Sequence, residues 1–154
     1  MRETLFNWLQ GAIAGGRCLD LFAGSGALGL ECLSRGAREV HFVERDAVVA
    51  AAIRSTLLEF KARGGTVHER DALGWLGGKA EPFDVAFLDP PFAQGGLEDL
   101  CKLLETRGWL APGAFIYLEH AAAEPALALP AGWTRWRELT AGEVHGLLAR
   151  RQAP

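Results

Sequence analysis

Cys18-Leu19-Asp20-Leu21-Phe22-Ala23-Gly24-Ser25-Gly26-Ala27-Leu28-Gly29 decides how this chain folds. Arg17–Phe22 predicts a strand of mostly apolar residues, and Ala23–Gly26 forces the chain out of it through a glycine-rich turn. From Ala27 to Ser34 the spacing of Leu28, Leu30, Cys32 and Leu33 predicts a helix, which Gly36 stops as a C-cap residue would. A strand passing through such a turn into a helix is the opening of a βαβ unit.

The alternation continues on both sides. Thr4–Gln10 predicts a short helix with Leu5, Trp8 and Leu9 on one side, ended by Gly15-Gly16. Glu39–Val43 predicts a second strand, and Ala47 to about Lys61 a long helix closed by Gly64-Gly65. Thr66–Glu69 predicts a third strand, after which Asp71-Ala72 opens a brief helix to Leu76. Phe83–Leu88 predicts a buried fourth strand, Leu97 to about Arg107 a helix, and Gly113–Leu118 a fifth strand. Two alternating segments, Trp133–Leu139 and Glu143–Arg150, split by Thr140-Ala141-Gly142, predict a closing hairpin. The expected fold class is α/β, a mostly parallel sheet with right-handed crossovers and helices on both faces, in one domain over residues 1–154.

In such sheets ligands bind beyond the carboxyl ends of the strands, at the topological switch point. Asp20–Gly26, Glu44, Asp71 and Asp89–Phe92 each fall just after an expected strand end, so four polar tips share one rim. At the fourth tip, Asp89-Pro90-Pro91-Phe92, neither proline can join a ladder and both fix φ. The turn leaves the Asp89 carboxylate, the Pro90 carbonyl and the Phe92 ring together. Two acceptors and an aromatic face suit a flat ring with an exocyclic amine, although Asp-Pro-Pro also serves as a plain strand-ending turn.

Gly24-Ser25-Gly26-Ala27-Leu28-Gly29 fits Gly-x-Gly-x-x-Gly, and Glu44 lies 20 residues beyond Gly24. Read literally, this is a dinucleotide fingerprint. Asp20 favours S-adenosylmethionine instead, because it can pair with a ligand ammonium and would repel a pyrophosphate. A chain of 154 residues also leaves little room for the substrate domain of a dehydrogenase. The candidate cofactor-binding residues are Asp20, Phe22, Ala23, Gly24, Ser25, Gly26, Glu44, Arg45, Asp71, Ala72 and Asp89. Glu44 would hold ribose hydroxyls unless it pairs with Arg45, and Asp71 with the Ala72 N–H would read adenine unless Asp71 caps a helix. The candidate catalytic residues are Asp89, Pro90, Pro91 and Phe92.

The apolar fraction of 49% and charged fraction of 23% are those of a soluble globular protein, and no run approaches the ~18 apolar residues of a membrane span. Met1–Leu5 carries no secretory h-region. Cys18, Cys32 and Cys101 are few and far apart, which predicts reduced core cysteines in a cytoplasmic protein rather than disulfides or a metal site. A net charge of −3 argues against a strong independent grip on nucleic acid. Arg135, Arg137, Arg150 and Arg151 nevertheless cluster near Trp133 and Trp136, either as a phosphate-and-stacking surface or as a solvated strand face. Among the histidines only His120, after Glu119, is expected near the cleft, and a loop role suits it better than a catalytic one.

Arg2-Glu3-Thr4-Leu5-Phe6-Asn7-Trp8-Leu9, Leu19–Glu31, Asp89-Pro90-Pro91-Phe92 and Gly108-Trp109-Leu110 together resemble the RsmD family over essentially the whole chain. The first block is quite specific to that family, whereas Asp-Pro-Pro-Phe is shared with other amino-methyltransferases of DNA and RNA. The resemblance implies a class I methyltransferase fold of seven strands, the last antiparallel. It implies S-adenosyl-L-methionine as cofactor and the exocyclic N2 of a guanine in small-subunit ribosomal RNA as target. It places Asp20 and Gly24–Gly26 at the methionyl end, Glu44 at the ribose, Asp71 and Ala72 at the adenine, and Asp89–Phe92 at the target base. The expected partner is small-subunit ribosomal RNA or an assembling small subunit, with no membrane, and the protein is expected to be a monomer. Family members usually carry a basic, glycine-rich arm before the Arg-Glu-Thr-Leu-Phe block, whereas this chain begins at Met1-Arg2. Rival readings are an amino-methyltransferase of DNA or RNA with another target base, an NAD(P)-binding oxidoreductase on the same glycine loop, and a non-catalytic cofactor-binding core.

Overall fold

The computed structural model describes residues 1–90 and 96–152. Its twelve elements are α1 (Arg2–Ile13), β1 (Arg17–Asp20), α2 (Ala27–Ser34), β2 (Glu39–Val43), α3 (Ala47–Glu59), β3 (Gly65–His68), α4 (Ala72–Leu76), β4 (Phe83–Leu88), α5 (Leu97–Thr106), β5 (Leu110–Ala121), β6 (Trp133–Ala141) and β7 (Val144–Arg151). Seven strands form one sheet in the order β3-β2-β1-β4-β5-β7-β6. β1 pairs in parallel with β2 and β4, and β4 with β5, while β7 runs antiparallel between β5 and β6. The chain therefore reverses its winding at β1, and the crevice between β1 and β4 is the switch point.

Side-chain alternation assigns the helices to faces. Val85 and Phe87 of β4 pack with Leu5, Phe6, Leu9 and Ile13 of α1, Cys32 of α2, and Ile53 and Leu57 of α3. Ala86 and Leu88 point the other way, onto Ala72 and Leu76 of α4 and Leu97, Leu100 and Leu104 of α5. Covered on both sides, β1 is buried throughout. Cys18, Cys32 and Cys101 are buried, free thiols. Among the described residues no helix is long and apolar enough to cross a membrane.

Several boundaries differ from the sequence reading, three of them for evident physical reasons. α1 runs to Ile13 because the apolar stripe continues past Gly11, and Gly15, at φ 72°, turns the chain. β1 stops at Asp20 because the chain bends into the glycine turn, where the Ala23 amide donates to the Val43 carbonyl at 3.0 Å. β5 is twice as long as Gly113–Leu118 because β4 and β7 pair with it on both sides.

The C-terminal basic and aromatic cluster is partly structural. Trp133 is buried, and its indole N–H donates to Glu105 of α5 at 2.7 Å, the same carboxylate that Arg151 pairs with at 2.8 Å. Arg135 donates to the Leu127 carbonyl. Arg137 lies over the Trp136 ring at 4.2 Å from its centroid, and Trp136 leans on Phe115.

Candidate active site

A cleft of about 830 Å³ opens at the carboxyl ends of β1 to β4. Its walls include Phe22, Ala23, Gly24, Ser25, Glu44, Arg45, Asp71, Ala72, Asp89 and Pro90, ten of the residues singled out from sequence. Pro91 and Phe92 lie outside the described residues.

The glycine turn is fixed from the second strand. Glu44 accepts from the Gly24 N–H at 3.0 Å through one carboxylate oxygen and from the Asp46 N–H at 2.9 Å through the other. No ion pair joins Glu44 to Arg45 among the described residues. Each carboxylate oxygen offers two lone pairs, so acceptor capacity remains for a vicinal diol. Gly24 and Gly26 adopt φ of 54° and 81°, the left-handed region where a side chain is strained. A Cβ on Gly24 would meet nothing within 4 Å, so the loop leaves open space above its backbone. Gly26 caps α2 and stays off the cleft wall.

Asp20 sits beneath the cleft, 2% exposed and absent from its lining. It accepts from the Gly29 N–H at 3.0 Å, tying the first turn of α2 to the end of β1. Burial pushes its carboxyl from 3.8 up to about 7; the Gly29 hydrogen bond opposes that rise, and the Asp89 and Glu44 charges add to it. Because the folded value lies above the unfolded one, the folded chain holds this proton more tightly. Stability attributable to Asp20 is then fully present below pH ~4 and is lost as pH rises toward 7. Asp20→Asn keeps an oxygen for Gly29 without the charge. Thermal melts should show the variant gaining on the parent as pH rises from 5 to 8, by roughly 2–4 kcal/mol at most. Its affinity for a cationic amine ligand should fall. A stability difference independent of pH would remove the buried-charge account.

At the adenine end expected from sequence, Asp71 caps α4, accepting from the Gly74 N–H at 3.0 Å through Oδ2. The cap commits one oxygen, and Asp71 still reaches the cleft beside Ala72. Val43, Leu73, Leu97 and Leu100 supply apolar surface there. Cleft volume, open glycine backbone, a diol acceptor and an apolar slot with an amide suit an adenosine-bearing cofactor. A pyrophosphate would find three carboxylates nearby in Asp20, Glu44 and Asp89.

Asp89 leaves β4 beside Glu119 of β5, because Leu88 and Leu118 are register partners. Burial, then the Glu119 charge and hydrogen bond, raise the Asp89 carboxyl to about 6. Tyr117 donates its hydroxyl to Glu119 Oε1 at 2.8 Å, and burial raises the phenol well above its usual range, so it stays a donor.

Sequence reasoning missed Glu119 as a neighbour of Asp89, because only strand pairing brings them together. It also missed Arg2, Asp46, Arg70 and Leu73 on the cleft wall. Asp46 had a usable signal, an Asp opening a helix; it caps α3 through Val48 and Val49. His120 bonds its own neighbour, the Ala121 carbonyl, and packs beside His145.

The family described as Conserved hypothetical protein 95 matches residues 1–150. Ribosomal RNA small subunit methyltransferase D of Escherichia coli (strain K12) is 44% identical over 153 residues, covering 99% of this chain and 77% of the relative. Its namesake in Haemophilus influenzae is 43% identical over 148 residues, covering 94% and 76%. The solved structure of Escherichia coli yhhF shares the fold with a TM-score of 0.95 at 44% identity, over 99% of this chain and 86% of that one.

Proposed function

Because this chain belongs to the Conserved hypothetical protein 95 family, that of the RsmD relatives, we propose that it methylates the exocyclic N2 of a guanine in small-subunit ribosomal RNA. On this reading residues 1–154 form one class I methyltransferase domain, which acts as a monomer in the cytoplasm on ribosomal RNA or on an assembling small subunit. One observation supports it above the rest: the Asp89-Pro90 tip borders the same cleft as the glycine loop and Glu44.

S-adenosyl-L-methionine, when bound, supplies an electrophilic methyl group. Glu44 would take the ribose hydroxyls, Asp71 and the Ala72 amide the adenine, and the Gly24-Ser25 backbone the methionyl end, with Asp20 and Gly26 setting the loop from below. A guanine amino nitrogen is a poor nucleophile because its lone pair is delocalised into the ring. Asp89 and the Pro90 carbonyl accept its two hydrogens, encouraging the nitrogen to pyramidalise and aiming its lone pair into the cleft. As positive charge grows on that nitrogen, the Asp89 carboxylate stabilises it and takes the proton the methylated amine must shed. Phe92 would stack on the base, a contact typically worth ~1–3 kcal/mol. The target guanine must be unpaired or splayed out to reach these groups.

Small-subunit RNA and particles from cells lacking the modification, incubated with isotope-labelled cofactor, should yield one N2-methylguanine on nuclease mapping by mass spectrometry. Label on another base, or on none, would overturn the assignment. Calorimetry with S-adenosylhomocysteine against NADH separates the oxidoreductase reading, which requires preference for NADH.

A further inference from the structure

We propose that Glu119 determines which base this site accepts: its carboxylate takes the ring N1–H of guanine while Asp89 takes the adjacent exocyclic amine. The inference rests on the guanine-N2 reading above and adds the group that enforces it.

Leu88 and Leu118 are partners across parallel β4 and β5, so Asp89 and Glu119, the next residues, stand side by side at the rim, with Glu119 on the α1 face where Tyr117 holds it. The sheet order β1-β4-β5 puts the glycine loop on one side of Asp89 and Glu119 on the other. Asp89 lines the cofactor cleft and Glu119 does not. A base that offers its amine to Asp89 from outside that cleft therefore extends over the tip of β5, where Glu119 stands.

Tyr117 is 1% exposed, and its hydroxyl holds Glu119 Oε1 at 2.8 Å. A buried donor aimed at one oxygen restrains the Glu119 carboxylate and leaves its other oxygen to accept elsewhere. Among the described residues neither Asp89 nor Glu119 forms an ion pair. While Asp89 keeps its proton the two carboxyls bond to each other, and once both are ionised they repel unless donors are placed against them.

The guanine Watson–Crick edge is such a donor set. N1–H and N2–H lie next to each other and point the same way, matching two neighbouring acceptors. Adenine presents a lone pair at N1, and 2-aminopurine keeps the 2-amine but also carries a lone pair at N1. Either would set an acceptor against a desolvated carboxylate. A site built to accept a hydrogen rejects the analogue lacking it more strongly than size selection could.

The experiment uses RNA carrying guanine, 2-aminopurine or 1-methylguanine at the nucleotide located by the mapping described above, prepared by splinted ligation. The parent protein should favour guanine over 2-aminopurine by at least ~100-fold in kcat/KM and should not use 1-methylguanine. Glu119→Gln, whose amide can donate to a lone pair at N1, should shrink the guanine preference at least tenfold, with S-adenosylhomocysteine affinity unchanged and a melting temperature no lower than that of the parent, since the repulsion with Asp89 is removed. Where turnover of the variant is too slow, the same ratio is read from binding of the three RNAs to protein saturated with S-adenosylhomocysteine. An unchanged ratio in the variant, or a parent protein indifferent to N1, overturns the role of Glu119. A parent protein that modifies no guanine at all overturns the underlying reading instead, and the mapping step shows this before any analogue is made.

Discussion

Asp89→Ala should lower kcat for guanine methylation by at least ~10³-fold, which is about 4 kcal/mol of transition-state stabilisation, while changing S-adenosylhomocysteine affinity less than threefold. The two effects separate because Asp89 stands at the edge of the cofactor cleft. The glycine loop and the polar groups proposed for ribose and adenine follow β1, β2 and β3, with apolar cover from α5. The parent enzyme should also show an acid limb. Asp89 must be ionised to accept from the amine, and its carboxyl is raised to about 6 by burial and by Glu119. kcat/KM should therefore climb up to tenfold per pH unit below about 6 and level off above it. The charged groups around it are Glu119, held by Tyr117, and the more distant Asp20. Near-parental turnover in Asp89→Ala would end the proposed role of the fourth strand tip. A rate independent of pH between 5 and 7 would end the account of its ionisation.

Much of this site is legible in one dimension because strand tips are local features. A buried apolar run followed by Gly-Ser-Gly, or by Asp-Pro-Pro, announces its own end, and parallel topology places every such end on one rim. That reasoning brought Gly24, Glu44, Asp71 and Asp89 to one cleft. It gave no access to relations that depend on pairing. Nothing local indicates that β7 inserts between β5 and β6, or that Glu119 stands beside Asp89; both follow from registers between residues roughly 30 apart. Arg2 reaches the cleft only because α1 packs on β4 and β5. Asp20 is a subtler case. Its position at the strand end was readable, but its depth and its bond to Gly29 depend on how closely α2 lies on the sheet.

That close approach makes Gly29→Ala a substitution expected to damage fold and site together. On an exposed helix, glycine to alanine would gain about 1 kcal/mol from propensity. Here a Cβ would fall 2.8 Å from Cζ and 2.9 Å from Cδ1 of Phe42, with Cε1 nearer still. Phe42 is fully buried on β2 and its ring also backs Gly26, so it has no free direction in which to turn. Relief requires α2 to rise from the sheet, which stretches the Gly29 N–H bond to buried Asp20. Overpacking costs roughly 1–3 kcal/mol, and a weakened bond to a buried carboxyl about 1–3 more. At about 2–4 °C per kcal/mol for a domain of this size, the melting temperature should fall by about 10 °C. Cofactor affinity should fall with it, since the loop and the first turn of α2 move together. Gly24→Ala is the discriminating companion: its Cβ enters open space, so only the strain of φ 54° opposes folding, at about 1–2 kcal/mol. That variant should lose cofactor affinity out of proportion to stability, because its methyl projects where the ligand must lie. Phe42→Leu placed on Gly29→Ala should recover part of the melting temperature. If Gly29→Ala melts with the parent protein, α2 does not press on Phe42 as the structure has it, and the positioning of the loop by Asp20 goes with it.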